Sequence, residues 1–176
     1  DGTQADVDEQ GTVYMRLGDT TKFEYKGDKA KTEKERLVIG DSVFFTVGDI
    51  GYMNSEDYLF LCDRKIDMII SGGANNYPAE IESVFLMHPK VQDVAVVGIP
   101  NEEWGEEIKA VVELNDEEIN EEDIKNDLME FASENLAKMK HPRSIDLIDK
   151  LPRDENGKLF KRKLRDPYWE NQDRQV

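Results

Sequence analysis

The sequence predicts an α+β chain, with a β-rich stretch over residues 1–63 followed by a small domain over residues 64–176 in which a three-stranded sheet carries helices. Three observations point there. The first sixty residues are short apolar runs broken by "GD", "GY" and "NSED". Two helical patterns open on good start signals, Pro78 and Asn120. The valine-rich runs "VQDVAVVGIP" and "EIKAVVEL" lie between those helices and read as buried strands. The resulting order, β, α, β, β, α, β, begins near Arg64 and is that of a small α+β domain.

In chain order, "GTVYMRL" alternates apolar and polar residues as one half-buried strand does, and "DKAKTEKERL" is a charged, helix-like patch. Gly51 to Cys62 predicts a hairpin. Its arms "IGYM" and "YLFLC" flank Asn54 to Asp57, where side chains that bond their own backbone are favoured. After "DRK" come the short run "MII", the loop-like "SGGANNYP" and a helix whose first turn takes Pro78, with Glu80 and Glu82 near its positive end. Ile81, Val84, Phe85 and His88 have the spacing that faces a core, and Pro89 closes the segment. Asn120 caps a helix expected from Glu121 to about Met139, with Ile124, Leu128, Phe131, Leu136 and Met139 on its buried side. Pro142 ends it, and "RSIDLID" is the last strand before the basic stretch "PRDENGKLFKRKLR".

Composition narrows the function classes. The 176 residues carry a formal net charge of -16, with 38% hydrophobic and 35% charged residues, within the range of soluble globular chains. No apolar run approaches the length of a membrane span, and "DGTQADVDEQ" has neither the basic flank nor the apolar stretch of a signal peptide, so a cytoplasmic setting is expected. The lone Cys62 has no disulfide or CxxC partner; with only His88 and His141 beside it, all three read as structural, and no metal site is expected. Charge is uneven: residues 101–134 hold fourteen acidic and two basic side chains, residues 135–165 ten basic and four acidic. The acidic run reads as a solvated face. The basic run lacks the interleaved aromatic platforms of single-strand binders, which argues against nucleic acid.

Five ordered segments carry a resemblance: "TVGDIGY" at 46–52, "DRKIDMIISGGANNYPAEIE" at 63–82, "HPKVQDVAVVGIPNEEWGEEIKAVVEL", "LAKMKHPRSIDLIDKLPR", and "PRDENGK" at 152–158. Together they resemble the C-terminal part of the adenylate-forming (AMP-binding) enzymes, and within that superfamily most nearly an acyl-CoA synthetase acting on fatty or related carboxylic acids. The resemblance implies that residues 1–63 are the end of a larger N-terminal adenylation domain and residues 64–176 a mobile C-terminal lid. It also implies a two-step reaction. The acid attacks the α-phosphate of ATP to give an acyl-adenylate and pyrophosphate, and a thiol then displaces AMP.

What the resemblance implies for single residues follows from the matched positions. Lys158, after Gly157 in the "GK" turn, would bridge the substrate carboxylate and the α-phosphate, an ammonium suiting the charge that develops there. Gly157 would allow the turn that presents it. Arg153, Lys161, Arg162, Lys163 and Arg165 would raise the local potential, though most read as ordinary solvated charges. Asp49 would accept hydrogen bonds from the ribose hydroxyls, and Arg64 would lie near ribose and phosphate. Ile66, two residues after that arginine, would be the hinge; the family usually has aspartate or lysine there. Ser71, Gly72 and Gly73 would approach the pantetheine chain, with Trp104 beside it. Met139 and His141 stand where a related subgroup has an aromatic and a cation against the CoA nucleotide, and a neutral histidine is the poorer phosphate partner.

ATP and CoA are therefore the expected substrates, with Mg2+ accompanying ATP in the full-length enzyme. Carrier-bound pantetheine is the other acceptor, and the N-terminal adenylation domain the expected partner. Neither the phosphate-binding loop ending in "PKG" nor an acyl pocket occurs in the sequence, so an inactive C-terminal fragment or one part of a split enzyme is expected. The rival readings are a non-catalytic interaction module of the same fold, or the lid of a ligase that loads a carrier protein.

Overall fold

The chain divides into two compact units, Asp1–Ile66 and Asp67–Val176. The structure is a computed structural model and describes residues 2–18, 23–115 and 120–170. Residues 116–119 of the acidic run lie outside the described residues.

The first unit contains β1 (Gly11–Thr12), β2 (Met15–Arg16), α1 (Lys29–Lys34), β3 (Arg36–Ile39), β4 (Ser42–Phe45), β5 (Asp49–Met53) and β6 (Leu59–Arg64). They form two three-stranded sheets, ordered β1-β5-β6 and β2-β4-β3. "GTVYMRL" is thus not one strand. Gly11 pairs with Gly51 while Met15 pairs with Phe45, so the chain crosses between sheets at Val13 and Tyr14. The hairpin is as expected: β5 and β6 run antiparallel, and the Asn54 carboxamide oxygen accepts from the backbone N–H of Glu56 and Tyr58 at 3.0 and 2.9 Å.

The second unit contains β7 (Ile69–Ser71), β8 (Ala74–Asn76), α2 (Pro78–Phe85), β9 (Val91–Asn101), β10 (Gly105–Leu114), α3 (Glu121–Asn135), β11 (Ser144–Leu147) and α4 (Lys161–Arg165). The three expected strands are β9, β10 and β11, and the tight hairpin of β7 and β8 extends them to five. β10 is central. β9 pairs antiparallel with it from Asn101↔Gly105 to Val91↔Leu114, β11 pairs parallel along Lys109 to Val112, and β7 meets it at Gly105. On one face α2 and α3 bury Ile81, Phe85, Ile124, Leu128 and Ala132 against Ile69, Val94, Val96, Ile108, Ala110, Val112 and Ile145. On the other, Ala95, Val111 and Leu151 pack with Ile148, Leu159 and Leu164. Covering both faces is why β9 and β10 read as continuous apolar runs rather than alternating ones.

Helix α3 starts as expected, the Asn120 side chain accepting from the Glu122 and Asp123 N–H groups. It stops at Asn135, four residues before Met139. The Ser133 hydroxyl and Asn135 carboxamide donate to the Glu130 and Phe131 carbonyls, and Leu136 turns extended (φ -120°, ψ 152°) to pack back on the core. Met139 therefore leaves the helix and is 59% exposed. His88 is structural: its ring is buried edge-on against Phe131, centroids 4.9 Å apart. Cys62 is half-buried outside any disulfide, and its sulfur accepts from the Gln10 carboxamide at 3.7 Å. Among the described residues, no helix is long and apolar enough to cross a membrane.

The segment after α4 is tied to the sheet by charge. Buried Lys109 donates to Asp146 at 2.7 Å, and the Tyr168 hydroxyl donates to the same oxygen at 3.2 Å. Burial pushes the Asp146 carboxyl up, but the hydrogen bond and charge of Lys109, with the Tyr168 hydroxyl, outweigh it and hold the group below its ordinary value of 3.8. A carboxyl lowered on folding stabilises the fold above its unfolded value, and that contribution fades as pH falls through the folded value. Asp146→Asn is expected to lower unfolding stability at pH 7 by about 1–3 kcal/mol, less than for a fully enclosed pair because Asp146 faces solvent on one side. In urea titrations the gap from the parent chain should narrow below about pH 4; a gap that stays constant or widens on acidification would contradict this assignment.

Candidate functional site

Five of the expected residues converge. Ser71, Gly72, Trp104, Met139 and His141, with Ala74, Ile108 and Arg143, line a cavity of about 100 Å³ in the second unit. The elements explain the meeting. The turn between β7 and β8 carries Gly72 and Gly73, and the turn between β9 and β10 carries Trp104; the Ser71↔Gly105 pairing sets the two side by side. The Gly72 N–H donates to the Trp104 carbonyl at 2.9 Å. The Asn101 carboxamide oxygen caps the second turn, accepting from the Glu103 and Trp104 N–H groups at 3.0 Å each.

Gly72 is required twice over. Its φ is +58°, and a Cβ there would lie 2.5 Å from Cε3 of Trp104. The small residue makes room for the indole rather than leaving an open floor. Gly73 also has positive φ, with open space around it.

The cation at this cavity is Arg143, which sequence reasoning missed. Its guanidinium carbon lies 5.7 Å from the Trp104 ring centroid, a cation–π arrangement. His141 is committed elsewhere: its Nε2–H donates to the Leu136 carbonyl at 2.9 Å. The only hint in the sequence was an arginine two residues beyond that histidine, with no periodicity to mark it.

Lys158 stands apart from this cavity, on a hairpin turn. Asp154 to Gly157 close a backbone turn, the Gly157 N–H donating to the Asp154 carbonyl at 2.9 Å, with Gly157 at φ +82° and Arg153 bridged to Leu159. The Asp154 carboxylate accepts from the N–H groups of Asn156 and Lys158, 2.9 Å each. Arg153 grips Asp93 of β9 in a bidentate pair (2.7 and 2.9 Å), and the hydrogen bonds to Asp93 hold its proton more tightly than usual. Asp93 and Asn101 are eight positions apart in β9, so the strand positions that anchor the two turns lie roughly 26 Å apart at about 3.3 Å per residue.

The basic stretch is partly solvated charge, as its sequence suggests, with Arg162 and Lys163 exposed, and partly ion pairs. Lys161 pairs with Glu82 at 2.8 Å, with both side chains largely covered, and Glu82 also accepts from the Val96 N–H on the outer edge of β9. Arg165 reaches Asp67 at 3.5 Å, while Arg162 and Lys163 lie over the Phe160 ring. Lys158 differs: it is exposed, and among the described residues no ion pair or hydrogen bond engages its ammonium.

In the first unit, Asp49 and Arg64 face each other as cross-strand partners of β5 and β6. Arg64 Nε lies 3.4 Å from Asp49 Oδ1, and its Nη2 donates to the Val47 carbonyl at 2.6 Å. Ile66, the last residue of that unit, is 59% exposed in a 3₁₀ turn, Lys65–Asp67. Among the described residues no cluster of three or more histidine, cysteine, aspartate or glutamate side chains could hold a metal ion.

The chain is similar in sequence and fold to known proteins. Residues 80–158 match the family described as AMP-binding enzyme C-terminal domain. A long-chain-fatty-acid–CoA ligase, FadD13, of Mycobacterium tuberculosis is 44% identical over 128 residues, 73% of this chain and 25% of the relative. A 2-succinylbenzoate–CoA ligase of Geobacillus kaustophilus is 39% identical over 165 residues, 94% of this chain and 32% of the relative. The o-succinylbenzoate CoA synthetase MenE of Bacillus subtilis, solved with its acyl-adenylate intermediate, superposes with a TM-score of 0.79 at 33% identity, covering 93% of this chain and 32% of that one. The chain thus spans a quarter to a third of the length of these relatives. Residues 80–158, which include the Trp104 turn and end on Lys158, are thus a stretch of the AMP-binding enzyme C-terminal domain family.

Proposed function

We propose that the chain is the C-terminal portion of an AMP-forming acyl-CoA synthetase for a fatty or related carboxylic acid, and that its second unit is a mobile lid serving both half-reactions. In the first, the substrate carboxylate oxygen attacks the α-phosphorus of ATP and pyrophosphate leaves. The Lys158 ammonium bridges the two anions and offsets the charge that grows on the phosphoryl oxygens. The observation that carries this role is that Lys158 alone in the "PRDENGK" turn presents an exposed cation without a described partner, on a turn whose backbone is fully tied down. Mg2+ accompanying ATP would be held by groups outside this chain; a solved relative, MenE, is recorded with ATP and magnesium ion.

In the second half-reaction the CoA thiol attacks the acyl carbon, giving up its proton, and AMP leaves. The cavity at Gly72, Trp104 and Met139 receives the pantetheine arm, and Arg143 supplies the positive charge for the CoA phosphates that His141 does not. About 100 Å³ suits a slender chain and falls short of a typical whole-ligand pocket. The separation of the two turns on one rigid sheet supports reorientation of the unit between steps, with Ile66 as the hinge residue. Asp49, held by Arg64, accepts the ribose hydroxyls. In the first unit Tyr58 and Leu61 are each 63% exposed, with Leu59 and Phe60 beside them; the large domain of the complete protein would cover this surface, so these residues alone are not expected to turn over.

In the complete protein, Lys158→Ala is expected to lower acid-dependent pyrophosphate exchange by about 10²–10³-fold, the scale of losing one transition-state charge partner. Unchanged exchange would remove the lysine from the chemistry. Arg143→Ala is expected to raise KM for CoA by roughly 10-fold or more, the scale of a lost charged hydrogen bond, while exchange stays intact. A KM for CoA within twofold of the parent would place the CoA phosphates elsewhere.

A further inference from the structure

The hydrogen bonds inside the Asp154–Gly157 turn fix its shape but not its direction relative to the sheet. One guanidinium links the turn itself to the sheet. Arg153 directs Nε and Nη2 at the two carboxylate oxygens of Asp93, and its remaining nitrogen, Nη1, donates to the Gly157 carbonyl at 2.7 Å. That carbonyl belongs to the peptide joining Gly157 to Lys158. Since a peptide group is planar, holding its oxygen also holds the plane from which the Lys158 Cα departs. Asp93 is itself fixed in β9, opposite Glu113 in the ladder, and Glu113 accepts from the Leu151 N–H at 2.9 Å where the chain enters the turn.

We propose that Arg153 and Asp93 form a positioning pair that aims Lys158, so that their contribution appears in adenylation and is absent from thioester formation. The inference rests on the adenylation role of Lys158 given above. An ordinary surface ion pair would contribute little and could be replaced by any basic residue. Here the fork is bidentate and the third nitrogen carries the link to the turn, which a lysine, a point charge without a planar fork, cannot reproduce. The turn does not depend on the pair to stay folded. Leu151 is buried, Leu159 packs on the same cluster, and the Phe160 N–H donates to the Pro152 carbonyl at 2.8 Å.

The test uses the complete protein with Arg153→Lys, Asp93→Asn, Lys158→Ala and the double variant Arg153→Lys/Lys158→Ala, measuring pyrophosphate exchange and thioester formation from supplied acyl-adenylate. Arg153→Lys and Asp93→Asn are each expected to lower kcat of exchange about 10-fold or more, with thioester formation within twofold of the parent. The double variant should match Lys158→Ala alone, because Arg153 acts through that lysine. Equal loss in both half-reactions would indicate a merely structural role and overturn the proposal. So would a further loss on adding Arg153→Lys to Lys158→Ala. If Lys158→Ala abolishes exchange while Arg153→Lys leaves it within twofold, the positioning role fails and the lysine's role stands. If Lys158→Ala leaves exchange unchanged, the lysine's role fails, and this proposal with it.

Discussion

The antiparallel ladder of β9 and β10 is the constraint on which the rest of the second unit depends. Ten residue pairs lock the two strands, and apolar side chains on both faces bury the ladder between helices on one side and the Leu151, Leu159 and Leu164 layer on the other. Such a ladder cannot slip by one residue without turning every valine to the wrong face. It has two ends, each next to one of the two proposed sites. At one, the Asn101-capped turn sets Trp104 over Gly72. At the other, Asp93 and Glu113 hold the strand that leads to Lys158. The distance between the two turns is thus a property of strand length, beyond the reach of any side-chain rotation.

Charge is used in two ways in the C-terminal stretch. Lys161 and Arg165 face acidic side chains distant in sequence, and Glu82 both binds Lys161 and occupies a backbone donor on the outer edge of β9. That blunts an edge that would otherwise pair with another strand. Lys158 is excluded from this stitching. In a chain of net charge -16, Arg153, Lys161 and Arg165 hold this stretch down by distant acidic partners, and Lys158 is left without a described one.

The sequence made legible what is local. The Asn54 turn, the Pro78 and Asn120 starts, the valine runs and the order of elements all follow from short-range preference and periodicity. Residues with cross-strand or distant partners were harder to read. The strand "GTVYMRL" looks continuous, yet only tertiary pairing shows that its halves belong to different sheets. The apolar run "MII" was read as the first strand and is β7, but β8 was read as a loop because "ANN" has no strand-like side chains, and three residues are too few for a period. The end of α3 turned on side chains of Ser133 and Asn135 competing for carbonyls, which the apolar spacing of Leu136 and Met139 concealed. At the site, Trp104, Gly72 and Met139 were found through their resemblance to a known pattern, whereas Arg143 emerged only from its position over the indole.

The account's central claim is that one rigid body holds the Lys158 turn and the Trp104 cavity far apart at all stages. The most direct measurement is the distance between nitroxide labels placed at Glu155, in the Lys158 turn, and Glu103, in the Trp104 turn, after Cys62→Ser removes the native thiol, by pulsed electron spin resonance with and without ATP, acid and CoA. A single narrow distribution on the scale of the roughly 26 Å strand length between Asp93 and Asn101, unmoved by ligands, is the predicted result. A distribution that collapses toward contact when substrates bind would show the two turns meeting at one site, and would contradict the account.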